Sequence, residues 1–173
     1  MWTGLADRLS AMPLEWSRVR LYQDGLPVCG REMDIVRDVA AAGSRNHQLL
    51  LALMEKGATL MGTEDAQLMV REYRRNQALV RAAMEELPAS DLAALQQEGQ
   101  TILAERDAYI ARRISDTLKA GETGIAFLGM LHRVDEKIDD GIQLQQVIHS
   151  LPFGVGAYTK GKDKGHEERT EEE

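Results

Sequence analysis

Three short strand-like segments of this chain, the first alternating and the other two apolar, each run directly into ionisable residues. Val19-Arg20-Leu21-Tyr22-Gln23 is followed by Asp24 and the turn residue Gly25. The run over 58–62 is followed by Thr63, Glu64 and Asp65, and the run over 124–131 ends at His132 and Arg133. If the three runs are parallel strands, Asp24, Glu64 and His132 arrive at one sheet edge. That is the edge beyond the carboxyl ends of the strands, where open α/β sheets bind ligands. A histidine beside an acid has its charged form favoured, which suits proton transfer near neutral pH. Taken singly, each group has a plainer reading. Asp24 and Glu64 could be turn or capping residues, and His132 a polar end to a buried strand.

A second signal lies in the helix predicted to reach Lys119. With Ile102 set at the origin and 100° per residue, Ile110 falls at about 80°, Leu103 at about 100°, Ile114 at about 120° and Leu118 at about 160°. Arg106, at about 40°, and Asp107, at about 140°, lie inside this apolar arc. Charges are rarely buried unless paired, so Arg106 is expected to point inward onto an acid, with Asp24, Glu64 and Asp107 as the candidates. The plainer reading is a structural ion pair. Arg113 also falls in the arc, at about 20°.

The elements that must hold these groups follow from pattern and punctuation. Leu5, Leu9 and Met12 are spaced for a lead-in helix that Pro13 stops. Residues 19–23 read as a first strand and 32–42 as a helix with Gly43 as its C′ residue. Ser44 is placed to cap a leucine-rich helix over 45–56 that Gly57 ends. Residues 58–62 read as a second strand, with Thr63 as the N-cap of a helix over 66–86. Pro88 breaks that helix, and a second long helix runs from Ser90 to Lys119. Residues 124–131 read as a third strand and about 144–151 as a fourth. The expected fold is α/β: a small, mainly parallel sheet of about four strands with flanking helices, and a long helical hairpin (66–119) inserted between strands two and three. Residues 1–155 form one domain; 156–173, ending GHEERTEEE, read as a disordered charged tail.

Composition removes several classes. A net charge of −7 opposes a long phosphate footprint, so no nucleic-acid partner is expected. No apolar run approaches the roughly 20 residues of a membrane span, and the N-terminus MWTGLADRL lacks a secretory h-region. The single cysteine, Cys29, forms no internal disulfide, so a cytoplasmic setting is expected. There is no HExxH, CxxC, GxSxG or P-loop motif, and the histidines His47, His149 and His166 have no metal-type spacing. His47 is expected to be exposed, and Cys29 to be an inert loop thiol.

The order of motifs is a strand leading to Glu64, a long helix carrying Arg106-Asp107, and a strand ending in Gly129-Met130-Leu131-His132. Over roughly 58–134 this resembles the TraB, Tiki and ChaN-type proteins, relatives of the erythromycin esterases. The resemblance implies an α/β fold with inserted helices, in which the glutamate, arginine and histidine converge at the sheet edge. It also implies hydrolytic activity, metal-dependent in some members. The family's first Gly-x-x-His is replaced here by Tyr22-Gln23-Asp24-Gly25. The chain would be a reduced, divergent member, with Asp24 as substitute ligand or base. The first expectation is therefore a small cytoplasmic hydrolase acting on a small molecule or peptide. Glu64 would be general base or metal ligand, and His132 acid/base or ligand. Arg106 would neutralise an oxyanion or hold a substrate anion, and Asp107 would orient Arg106 or His132. A divalent metal on Glu64, His132 and Asp24 is the cofactor this set admits. The second expectation is a non-catalytic module binding an anionic small molecule or nucleotide. The third is an interaction or homodimerisation protein using Leu68, Met69, Tyr73, Leu79, Val80 and Met84 of the hairpin.

Overall fold

In the computed structural model, which describes residues 2–85 and 88–146, β1 (Val19–Gln23) is the middle strand of a three-stranded sheet. β2 (Thr59–Met61) and β3 (Thr123–Phe127) flank it, and both run parallel to it. Leu21 sits opposite Leu60 on one side and Ile125 on the other. The described residues also form five α-helices, α1 (Trp2–Ser10), α2 (Glu32–Ala41), α3 (Arg45–Glu55), α4 (Ala66–Met84) and α5 (Ala89–Thr117), and two single 3-10 turns, Trp16–Arg18 and Val134–Glu136.

Strand alternation splits β1 between two cores. Val19 and Leu21 pack with Val36 of α2 and Leu49, Leu50 and Leu53 of α3. Tyr22 faces the other way, onto Ile110, Ala111 and Ile114 of α5. β1 is buried almost throughout although two of its five residues, Arg20 and Gln23, are polar; Arg20 is paired with Glu122, and the Gln23 side chain accepts from Asn46 Nδ2 at 2.7 Å. Gly43, at φ +100°, takes the left-handed position that ends α2. α4 and α5 pack along one another, with Arg71 bonded to Glu105 and Arg75 Nε donating to the Leu95 carbonyl at 2.7 Å.

The third strand is shorter than its apolar run. β3 ends at Phe127, whose carbonyl accepts the Asp24 N–H at 2.9 Å. Among the described residues β1 is its only neighbour and ends there too, so residues 128–131 have no ladder to join. They form a loop in which the His132 N–H returns to the Gly129 carbonyl at 3.1 Å. A fourth strand is not formed in the described part of 144–151. Residues 144–146 join no strand ladder, and Leu144 is half exposed between glutamines that cannot cover a parallel sheet. The rest of that segment, His149, His166 and the charged tail all lie outside the described residues. No helix among the described residues is long and apolar enough to cross a membrane.

Candidate functional site

The turn after β1 and the segment after β2 are joined by backbone bonds. Thr63 and Glu64 both donate their N–H to the Leu26 carbonyl, at 2.9 and 3.0 Å, and Val28 donates to the Glu64 carbonyl at 2.9 Å. Thr63 is not the N-cap of α4. Its hydroxyl accepts the Gln23 N–H at 3.0 Å and donates to the Met61 carbonyl, which ties the ends of β1 and β2. Asp65 takes the cap instead, accepting from Gln67 and Leu68 at 2.7 and 3.1 Å. With Asp65 turned outward to the helix, Glu64 turns inward and is completely buried. Gly25, at φ +77°, aims its N–H at Glu64 Oε1 at 2.9 Å, a conformation a side chain would resist.

Arg106 is the hub of the cluster. Its Nε donates to Glu64 Oε2 at 2.7 Å, and its Nη2 completes a bidentate grip on Glu64 Oε1. The same Nη2 donates to Asp24 Oδ1 at 2.8 Å, and Nη1 to Glu72 Oε2 at 2.7 Å. The expected inward orientation is what the structure has, with two of the three candidate acids as partners. Asp107 is not among them. One residue further round α5, it is turned onto the other half of the site: Oδ1 lies 2.5 Å from His132 Nδ1, and Oδ2 accepts the Arg133 N–H at 3.0 Å. His132 Nε2 then lies 3.3 Å from Asp24 Oδ2, which also accepts the Gly129 N–H at 3.1 Å. The structure thus brings Asp24, Glu64, Arg106, Asp107 and His132 into one hydrogen-bonded network. Asp24 is the member shared by both halves.

Glu72 is the participant missing from the sequence reading. The angular test that singled out Arg106 would have found it, since Glu72 lies about 40° from Leu68 and about 20° from Leu79 on α4. Arg113, the other charge in the α5 arc, donates to the Gly62 carbonyl at 3.0 Å, outside the network. His47 is half-buried, not exposed, with Nδ1 2.8 Å from the Ser44 hydroxyl, which meets that side chain and caps no backbone N–H of α3. Cys29 is exposed in the β1–α2 loop.

Charge sets the protonation pattern. Hydrogen bonding to Asp24, against the penalty of burial and helped by Asp107, pushes the His132 imidazole up to about 9. Burial opposes ionisation of Asp24, but the His132 bond and the Gly129 N–H outweigh it, and the carboxyl stays far below its usual range. The Glu64 bond holds Arg106 more firmly protonated than a free guanidinium. Four carboxylates (Asp24, Glu64, Glu72 and Asp107) against two cations leave the cluster with an excess of two negative charges. The set suits a cation. One donor atom from each of Asp24, Glu64 and His132 lies within 4.8 Å of the others. Asp107 on Nδ1 leaves Nε2 as the nitrogen facing the other two donors, the carboxylate–histidine arrangement typical of metal ligands. Access is through Asp24, whose side chain is 25% exposed, against 4% for His132 and none for Glu64.

No protein-family model matches the chain, and neither does any curated protein or any solved structure.

Proposed function

We propose that this chain is a small hydrolase whose site is the Asp24–Glu64–Arg106–His132 cluster, with Asp24, Glu64 and His132 as ligands of a divalent cation. The observation that carries the reading is the convergence of those three donors, with the far nitrogen of the histidine on Asp107. A bound cation would polarise a carbonyl and lower the pKa of a coordinated water. The chain's own groups have separate tasks. Arg106, with all three nitrogens on carboxylates, is a positioning residue that aligns Glu64 and Asp24. Asp107 fixes the His132 ring. Without a cation, His132 is an imidazolium near neutral pH, placed to donate a proton to a leaving group on the Asp24 side.

The Gly129–His132 motif together with Glu64 and Arg106-Asp107 supports reading the chain as a reduced TraB-type relative. In that reading Asp24 replaces the missing first histidine, and a cytoplasmic setting fits the lone thiol. An anionic ligand is disfavoured, because the cluster is already negative and Arg106 is already claimed. A second reading, a protein-binding or homodimerising helix pair, draws on α4. There Val70, Tyr73, Val80 and Met84 are exposed, while Leu68, Met69 and Leu79 turn inward. Calorimetric titration with Zn2+, Mn2+ and Mg2+, beside an ester and amide hydrolysis screen, tests the proposal. One-to-one binding that Asp24→Asn and His132→Ala abolish is expected. A wild-type protein that binds no cation at millimolar concentration and hydrolyses nothing sinks it.

A further inference from the structure

Met130 and Leu131 are 95% and 77% exposed, two consecutive large apolar side chains on one short loop. The loop is tied to the cluster at both ends. The Gly129 N–H bonds to Asp24 Oδ2 before it, and His132 stands between Asp24 and Asp107 after it. The pair therefore stands beside Asp24, the most open of the three donor groups. On the β2 side of β1, Val28 adds a third partly exposed apolar side chain, held by its N–H on the Glu64 carbonyl. Apolar groups left in water at the mouth of a polar, negative site are covered when an apolar ligand arrives.

We infer that Met130 and Leu131 form an apolar wall that grips the substrate, and that the substrate is a non-anionic ester or amide carrying an apolar group next to the reacting carbonyl. The inference rests on the site proposed above. Its negative excess rules against an anionic headgroup, and the wall rules against a small polar one. Both side chains stand clear of either buried core, so removing them should leave the fold intact.

Acetamide and hexanamide are suitable probes for the full-length chain, read by amide shifts in 15N NMR. They differ by four methylenes, each worth about fourfold in affinity when buried. With roughly half of that surface covered, hexanamide should bind at least about tenfold more tightly than acetamide and shift the amides of Gly129, Met130, Leu131 and His132. The double variant Met130→Ser/Leu131→Ser should erase the preference with an otherwise unchanged spectrum. Equal affinity for the two amides, or a preference that survives in the double variant, overturns the inference. So does self-association of the wild type in sedimentation that the double variant abolishes, because the wall would then belong to a second copy. The readout needs neither turnover nor cation. A chain that prefers hexanamide but hydrolyses nothing refutes the hydrolase reading alone, and one that hydrolyses esters without chain-length preference refutes the wall alone.

Discussion

Replacing Arg106 with leucine tests the centre of the network. Glu64 has no solvent contact and would lose both arms of the guanidinium, keeping only the Gly25 N–H at 2.9 Å. Asp24 and Glu72, at 25% and 37% side-chain exposure, can rehydrate and add little. Hydrogen bonds to charged groups contribute about 1.5–3 kcal/mol each, and stranding one partner of a buried pair costs ~3–5 kcal/mol. Arg106→Leu should therefore lose about 3–5 kcal/mol in urea denaturation at pH 7. The loss should shrink in acid. An unpaired buried carboxylate has its folded-state pKa raised, so the folded variant takes up a proton before the unfolded chain does, and stability returns as pH falls. Adding Glu64→Leu should restore most of the loss, since a pair replaced by apolar groups leaves no stranded charge. A deficit below about 1 kcal/mol, or a double variant no more stable than the single one, would falsify the claim that Arg106 holds a buried acid.

The remaining expectations concern His132, the cap of α4 and Gly62. In the metal-free protein the His132 ring should titrate near 9 by NMR, and a midpoint at the ordinary value would remove its partnership with Asp24. Because that pKa is raised on folding, the stability gap between wild type and His132→Gln should be full below pH ~6.5 and vanish as pH rises through about 9; a gap that widens with pH contradicts this. Asp65→Ala should cost about 1 kcal/mol in thermal or urea unfolding, whereas Thr63→Ser, which keeps the hydroxyl, should not disturb α4. Gly62→Ala should destabilise by about 1–3 kcal/mol, because a Cβ there would meet Val28 Cα at 2.9 Å and the Pro27 carbonyl at 3.1 Å. Wild-type stability in that variant would show that the β1–α2 loop yields freely.

Much of the site was legible because its signals are local. Arg106 and Asp107 stand out as charges inside an apolar helical arc, which needs only the 3.6-residue period. Asp24 and Glu64 stand out as acids just past short apolar runs, and both lie at the carboxyl edge of the sheet. Glu72 carries the same kind of signal on α4 and could have been found by the same count. The length of β3 could not. Residues 128–131 are as apolar as a strand, but a strand at the sheet edge ends where its one neighbour ends, and nothing in the run itself says where that is. The cap of α4 shows the same limit. Thr63 and Asp65 are both good N-caps by type, and the choice was settled by the Gln23 N–H, forty residues away, which takes the Thr63 hydroxyl.

The sequence by itself determined where the helices and the cores of the three strands would lie, where glycines would turn the chain, and that Arg106 and Asp107 had to be buried with partners. Those properties follow from periodicity and from the free energy of dehydrating charge, and both act residue by residue. The tertiary structure alone decided who pairs with whom. The strand order β2-β1-β3 puts Asp24 between Glu64 and His132, so one carboxylate serves both halves of the network. The 100° step along α5 sends Arg106 to Glu64 and Asp107 to His132. Partner choice of this kind depends on distances across the sheet and between layers, which no spacing along the chain encodes.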